Sequence, residues 1–300
     1  MLKIAYAPVY KYSLPNGHRF PMEKYEILPE QLLYEGSIQR EQFFHPDRLT
    51  EAEILKTHTP EYLDKLFQQK LTAKEVRRIG FPMTEALVER GRYISMATYQ
   101  CSLYAMEYGI SMNIAGGTHH AFADHGEGFC ILNDVAIASN LLLEGDPNMK
   151  ILILDLDVHQ GNGTAHIFQN NKSVFTCSMH GRNNYPYQKE VSDYDIELDK
   201  GIGDDEYLRS LAELLDSLSE IFRPDIIFYI AGVDVLGIDR LGTLNLTRNG
   251  AKERDRMVID YAQRHGIPLV VVMGGGYAVS LAAIVDAHAN TYRVAMDYMS

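Results

Sequence analysis

Six short apolar runs recur along the chain, and within them apolar residues follow one another without the alternation of a half-exposed strand. Strands that are buried on both faces of a parallel sheet have this pattern. Between the runs, apolar residues repeat with the period of an α-helix. The predicted strands are residues 3–7, 111–115, 150–156, 173–179, 225–232 and 268–274, and the clearest predicted helices are residues 84–108, 134–143, 204–222, 247–265 and 278–297.

This alternation of strands and helices predicts an α/β fold: a three-layer, open and mostly parallel sheet with helices on both faces. Residues 20–80 are polar and helix-rich, and we expect them to pack on the sheet as helices and loops. The sequence contains no repeat, low-complexity tract or Pro/Ser-rich linker. We therefore expect residues 1–300 to form a single domain.

Composition narrows the class of protein. The formal net charge of −12 argues against nucleic acid as a partner. No apolar stretch approaches the ~20 residues that cross a bilayer, and the first ten residues become polar too soon for a signal peptide. We expect a cytoplasmic protein without a membrane partner. Three scattered cysteines fit reduced, buried thiols and no disulfide framework: Cys101, Cys130 and Cys177.

Polar, glycine-rich loops follow most of the predicted strands, and ligands bind beyond the carboxyl ends of the strands in such sheets. Asp157 and His159 are two residues apart, so they share one face of an extended segment. Asp234 follows another strand. Two carboxylates and one imidazole can bind a divalent ion and leave coordination positions open, as catalytic zinc sites do. Singly, each residue is more often a cap or turn residue, so the hypothesis depends on their convergence.

Further residues at this edge favour hydrolysis. His119 and His120 follow a predicted strand, and a histidine beside an activated water can take its proton and return one to the leaving group. Asp155 and Asn162 are candidate partners that would fix a histidine tautomer. Tyr277, after three glycines, can donate to a developing oxyanion. Alone, these would be capping or packing residues. Together with the metal ligands, they predict metal-assisted hydrolysis of an amide or ester.

Four motifs, in this order and spacing, resemble those of the zinc-dependent histone deacetylase family: GGTHHAFADHGEGFCILND, LDLDVHQGNGT, AGVDVLGIDRLGTLNLT and MGGGY. The resemblance covers nearly the whole chain. HRFPMEKY at 18–25 and the Gln-Gly-Asn that follows His159 resemble the class IV branch and its bacterial relatives. The resemblance implies an arginase-like fold and the removal of acetyl, or longer fatty acyl, groups from N-ε-acyl-lysine in a protein or peptide.

The resemblance also implies a role for each matching residue. His119 and His120 would lie beside the metal, with His120 as general base, Asp155 as the partner of His119, and Tyr277 on the acyl oxygen. Zn²⁺, or Fe²⁺ with the same ligands, would be bound by Asp157, His159 and Asp234. The acyl-lysine tunnel would be lined by Gly128, Phe129, Leu241 and Gly275. A structural potassium ion would lie at Asp155, Asp157, His159, Ser178 and Met179, and a second near Phe168, Val174 and Tyr194.

Two positions depart from the class I pattern. Asn162 stands where class I members have a second aspartate, so it would hold His120 without favouring the protonated imidazole, and the pKa of the base should be lower. Residues 77–82 lack the rim aspartate of class I enzymes, which predicts loose peptide specificity. Nearby residues are interpreted as structural: His125, His180 and Cys130, a salt-bridged Asp239 and Arg240 that place Leu241, and His58 and Tyr62, packed one turn apart on a helix.

Other functions remain open. Acetylpolyamine amidohydrolases, which act on small acylated amines, share these catalytic motifs but usually carry an extra loop, for which the short segments here leave no room. A binuclear manganese hydrolase of the arginase type would need a second set of ligands. A non-catalytic acyl-lysine binding module would have lost a ligand or the tyrosine, and all are present. The oligomeric state is not predicted.

Overall fold

A computed structural model describes residues 1–299. These residues form one sheet of eight strands in the order β2-β1-β3-β8-β7-β4-β5-β6, and every neighbouring pair is parallel. The strands are β1 Lys3–Ala5, β2 Phe43–Phe44, β3 Ile110–Asn113, β4 Ile151–Asp155, β5 Val174–Gly181, β6 Tyr194–Leu198, β7 Ile226–Ile230 and β8 Leu269–Val272. The central strands β3, β4, β7 and β8 are buried throughout, as their unbroken apolar sequences predict.

Helices connect and flank these strands. They are α1 Lys24–Tyr34, α2 Glu51–Ile54, α3 Pro60–Phe67, α4 Ala73–Ile79, α5 Glu85–Tyr108, α6 Asp134–Gly145, α7 Asn162–Phe168, α8 Asp204–Ile221, α9 Arg248–His265 and α10 Leu281–Asp297, with 3₁₀ turns at Pro8–Tyr10 and Arg40–Gln42. Threonine caps show why helices begin where they do: the Thr84 side chain accepts from the Leu87 amide, and that of Thr247 accepts from the Gly250 amide. Helix α9 ends at His265, and Gly266, in the left-handed region, caps it.

The order of the strands explains the three layers. From β3 to β4 and on to β5, the chain steps one way across the sheet through α6 and α7, and from β6 to β7 and on to β8 it steps back through α8 and α9. Because parallel crossovers are right-handed, steps in opposite directions place their helices on opposite faces. Helix α5 packs on α6, and α9 packs on α8 and α10. The predicted three-layer α/β fold is confirmed.

Three details differ from the prediction. Strand β2, within the segment predicted as helices and loops, is only two residues long. Strand β6 at the opposite edge has exposed and half-buried residues and therefore lacks an apolar run. His58 does not lie on a helix with Tyr62, because α3 begins at Pro60 after the Thr59 cap. The two rings nevertheless pack with centroids 5.9 Å apart.

The structure also tests what composition predicted about the cysteines and about membrane-spanning helices. All three cysteines are free and buried, as predicted. Among residues 1–299, no helix combines the length and apolar character needed to span a membrane.

Candidate active site

A cleft of about 330 Å³ opens at the carboxyl edge of the sheet. The loops after β3, β4, β7 and β8 meet there, together with the loop after β5, near which the sequence analysis named only His180. Side chains that the sequence analysis assigned to chemistry or to the tunnel line this cleft: His120, His159, Tyr277, Gly128, Phe129 and Leu241. The structure therefore brings most of the predicted site together.

Two of these loops, those after β4 and β7, bring the proposed metal ligands into contact. One ligand atom from each of Asp157, His159 and Asp234 lies within 4.8 Å of the others, and all three residues are buried. His159 Nδ1 is 3.0 Å from Asp157 Oδ1 and 3.2 Å from Asp234 Oδ2. The remaining carboxylate oxygens are fixed by backbone amides, since Asp234 Oδ1 accepts from Val158 and Asp157 Oδ2 accepts from Gly275. These bonds orient the other ligand atoms toward one point.

The charges of this trio fit a bound cation. Asp234 Oδ2 is buried and makes no hydrogen bond of good geometry to any of residues 1–299. Burial, and then the Asp157 carboxylate, raise the pKa of Asp234 to about 7. Burial lowers the pKa of His159, but Asp157 and Asp234 outweigh it and bring the pKa to about 10. Without a metal, a proton is thus held where the three ligands converge. A divalent ion offsets the same repulsion, and this donor set suits Zn²⁺.

The two adjacent histidines have different partners. His119 Nδ1 lies 2.6 Å from Asp155 Oδ2, and His120 Nδ1 lies 2.7 Å from Asn162 Oδ1. Burial lowers the pKa of His119, but Asp155 and then Asp157 raise it to about 9. Burial and the neighbouring His119 lower the pKa of His120 well below its usual value. These pKa shifts favour a charged His119 beside a neutral His120, and the two ring centroids are 4.1 Å apart.

Tyr277 closes the cleft beside these groups. Its backbone amide donates to Asp239 Oδ2 at 2.6 Å, and its ring packs against Phe129 with centroids 5.8 Å apart. Burial, and then the carboxylates of Asp234 and Asp157, raise the pKa of Tyr277 well above its usual value. The phenol therefore keeps its proton and can act as a hydrogen-bond donor.

The proposed tunnel residues do not all lie in the cleft wall. Gly128 and Phe129 have positive φ angles of 55° and 66°, and this turn places the Phe129 ring along the cleft. Leu241 is held because Asp239 Oδ1 accepts from the amides of Leu241 and Gly242. The predicted salt bridge between Asp239 and Arg240 is wrong: no ion pair joins them in residues 1–299, and Asp239 binds backbone amides.

Gly275 does not line the wall of the main cleft, but it lines a smaller cavity behind the two histidines and lies against the proposed metal ligands. A side-chain carbon there would come within 1.9 Å of Asp234 Oδ2. Its amide donates to Asp157 Oδ2, so it also orients one of the proposed metal ligands.

Sequence reasoning missed several supporting residues. Buried Asp134 accepts from the amides of Gly117 and Thr118 and so holds the loop that carries the two histidines. Buried Arg254 pairs with Asp255 and donates to the carbonyl of Gly232, just before Asp234. Asp134 lies in the GFCILND motif, so the motif could have indicated that Asp134 supports the site. Arg254 lies in a charged stretch of a helix, where nothing in the sequence distinguishes a buried arginine from an exposed one.

The remaining predicted residues lie around the site. Asp155 pairs in register with Ser178 across β4 and β5, which brings part of the proposed potassium site together. The Ser178 hydroxyl is 2.9 Å from His180 Nδ1. The potassium sites stay predictions. His125 and Cys130 do not line the main cleft.

Comparisons of sequence agree with this geometry. A family profile described as "Histone deacetylase domain" matches residues 18–292. An uncharacterized protein of Picosynechococcus sp. is 44% identical over 294 residues, which cover 98% of each chain. Histone deacetylase 2 of Arabidopsis thaliana is 29% identical over 95% of this chain and 76% of its own. Histone deacetylase clr6 of Schizosaccharomyces pombe is 30% identical over 78% of this chain and 62% of its own.

Solved structures agree on the fold. A histone deacetylase homolog complexed with SAHA superposes with a TM-score of 0.83 at 24% identity, over 99% of this chain and 83% of its own. A homolog from Aquifex aeolicus gives 0.82 at 23% identity, over 100% of this chain and 84% of its own. At these identities the structures support the arginase-like fold alone, whereas the family profile spans most of the sequence. The chain belongs to the histone deacetylase family, whose members are hydrolases of acetylated amides.

Proposed function

We propose that this protein removes acetyl groups from N-ε-acetyl-lysine in proteins or peptides, using a divalent metal bound by Asp157, His159 and Asp234. The observation that carries the proposal is the convergence of these three buried ligands at the base of a cleft that also contains His120 and Tyr277. We propose Zn²⁺ as the metal, with Fe²⁺ as the alternative. When bound, the ion would supply Lewis acidity to the acyl carbonyl and make a water molecule easier to deprotonate.

Each nearby side chain has a defined part in this reaction. His120, neutral and hydrogen-bonded through Nδ1, takes the proton of the attacking water at Nε2 and later passes a proton to the lysine amine that leaves. His119, held by Asp155, contributes positive charge beside the developing negative charge. The Tyr277 hydroxyl donates to the carbonyl oxygen as negative charge accumulates there. Phe129 and Leu241 would pack against the alkyl chain of the lysine.

The charge of the cleft favours acyl-lysine over an acylated polyamine. Arg19 and Arg78 line the cleft, and none of its lining residues within 1–299 is acidic. A polyamine would carry further ammonium groups to this mouth, where they meet guanidinium groups and no free carboxylate. An acylated lysine within a peptide brings no such additional charge. Acetylpolyamine hydrolysis is therefore the second candidate.

The inner end of the site bears on acyl length. A small cavity of about 30 Å³ lies behind the histidines, lined in part by Thr118, Tyr25 and Gly274. This volume is on the scale of one or two water molecules. It supports a preference for acetyl over long fatty acyl groups.

The proposal also covers the extent of the domain, the family branch, a potassium ion and the location of the protein. We infer a single deacylase domain over residues 1–300, most similar to the class IV branch, with a structural potassium ion beside Asp155, Ser178 and Met179. Location in the cytoplasm is part of the same proposal.

A turnover panel with the zinc-loaded enzyme tests the substrate class. The panel comprises one lysine peptide carrying acetyl, butyryl, octanoyl or myristoyl, beside acetylspermidine and acetylputrescine. We expect the highest kcat/KM with the acetyl peptide and at least a tenfold lower value with either polyamine. A higher value with acetylspermidine would replace lysine by polyamine as the substrate class, and a higher value with myristoyl peptide would overturn the preference for acetyl.

A further inference from the structure

A buried carboxylate, Glu127, lies behind the hydrogen bond between His120 and Asn162. Glu127 is 2% exposed and sits on the loop between β3 and α6. Its Oε1 accepts from Asn162 Nδ2 at 2.6 Å, and its Oε2 pairs with Arg78 at the cleft mouth. The ring of Tyr185 meets the ring of His120 edge-on with centroids 5.0 Å apart. Burial, and then a side-chain hydrogen bond with Glu127, raise the pKa of Tyr185. Arg78, Glu127 and Asn162 therefore form a chain of contacts from the cleft mouth to His120, the proposed base.

The carboxylate decides which way the amide of Asn162 faces. An ionised carboxylate only accepts hydrogen bonds, so the atom of Asn162 that faces Glu127 must be its NH₂ group. The amide oxygen then faces His120 Nδ1, 2.7 Å away. Because an amide oxygen also only accepts, His120 must carry its proton on Nδ1. Its Nε2 is left with a free lone pair toward the cleft, as a general base requires.

Asparagine alone could not fix this arrangement. An asparagine amide can be reversed about its last torsion at little cost, which would turn its NH₂ group toward His120 and place the proton of the histidine on Nε2. That tautomer cannot act as a base toward the cleft. A second aspartate would need no such orientation, because both of its oxygens accept.

We propose that Glu127 is a positioning residue that fixes the tautomer of His120 through Asn162. The proposal rests on the function proposed above, in which His120 is the base. Glu127 places a negative charge next to Asn162, which is itself uncharged. Arg78 holds the carboxylate in place, and the backbone of the same loop is anchored because the Gly128 amide donates to the Arg78 carbonyl.

A double-mutant cycle on the zinc-loaded enzyme tests this. Glu127→Gln should lower kcat about tenfold or more with KM changed less than about twofold, because the introduced amide side chain can donate as well as accept and no longer fixes the orientation of Asn162. In an Asn162→Asp background, the same change should cost less than twofold or raise kcat, because the aspartate needs no orientation and Glu127 only repels it. Glu89→Gln is the matched control: it removes a half-buried carboxylate that pairs with Arg48 and Arg92 and does not line the cleft, so kcat should stay unchanged.

An equal loss of kcat from Glu127→Gln in both backgrounds would show a merely structural role and overturn the proposal. No loss of kcat in the parent background would also overturn it. Nitrogen NMR of the His120 ring in the unmutated zinc enzyme gives a second test that needs no variant. A proton on Nδ1 supports the inference, and a proton on Nε2 overturns it. A parent enzyme that turns over no acylated amine would instead defeat the proposed function, and the NMR result would still decide the tautomer.

Discussion

Gly128 stands directly against the proposed base. A side-chain carbon at Gly128 would lie 2.5 Å from His120 Cδ2, and the residue has a φ of 55°, in the left-handed region. The absence of a side chain there is therefore a condition for the observed position of His120. The glycine preserves the space for the imidazole as much as it permits the turn.

We expect Gly128→Ala to lower kcat by at least 100-fold, because the methyl group must displace His120 from its hydrogen bond with Asn162. Gly36→Ala is the matched control, since Gly36 has a similar φ of 73° and nothing within 4 Å of an added carbon. Steady-state kinetics and thermal unfolding of both variants separate a local effect from backbone strain. Equal losses of activity in the two variants would contradict the role of the imidazole contact.

Tyr277 gives a second prediction at this scale. Tyr277→Phe keeps the ring that packs on Phe129 and removes only the hydroxyl, so we expect thermal stability and metal content to stay near the parent values. The kcat should fall roughly 100-fold or more, as when one donor to an oxyanion is removed. Turnover of acetyl-lysine peptide as fast as the parent enzyme would exclude the oxyanion role.

The convergence of individual residues could be predicted from the sequence where each follows a strand end directly. Asp157, His159 and Asp234 could be grouped because parallel strands bring their carboxyl ends to one edge. Glu127 and Arg254 could not be predicted, since their partners belong to loops and helices distant in sequence and neither residue type is normally buried. A buried charge is recognised only when the group that pairs with it is known.

At the scale of helices and strands, one contact outside the cleft joins two parts of the fold. The segment before α3 is tied to α6, because the Asn133 amide donates to His58 Nε2 at 3.1 Å and Asn133 caps α6.

Helices with strong caps and a clear helical repeat of apolar residues were predicted to within a few residues of their observed ends. The edge strands β2 and β6 were missed, because a two-residue strand and a half-exposed strand leave no apolar run.

His58 predicts a pH dependence of stability. Burial lowers its pKa from 6.5 to about 4, so the folded protein keeps His58 neutral while the unfolded chain binds a proton below pH 6.5. Stability from this residue is therefore present above pH 6.5 and is lost as pH falls toward 4, by roughly 3 kcal/mol.

Urea unfolding at several pH values measures this effect. His58→Asn should be less stable than the parent at pH 7, because a buried ring is lost. The difference between the two proteins should narrow by roughly 3 kcal/mol toward pH 4. Parallel curves for the parent and variant would contradict a neutral, buried His58.

At the scale of the whole molecule, the sheet holds two carboxylates that repel each other close together. The chain carries a net charge of −12, yet two buried carboxylates, Asp157 and Asp234, are held within contact of one imidazole. Such an arrangement costs free energy unless a cation or proton is bound between them. The rigid central strands β4 and β7 pair in register from Ile151 with Ile226 to Asp155 with Ile230 and so fix the distance between the two loops. The proposed metal binding would therefore be coupled to the fold.

The most direct test of this account is the activity of chelator-treated enzyme toward an acetyl-lysine peptide during titration with Zn²⁺. We expect treated enzyme to lose more than 99% of its turnover, and one equivalent of Zn²⁺ per chain to restore it. The matched Asp234→Asn variant should recover no comparable activity at one equivalent, because it lacks one charged ligand. Full turnover by metal-free enzyme, or recovery in the Asp234→Asn variant equal to that of the parent, would contradict the central claim.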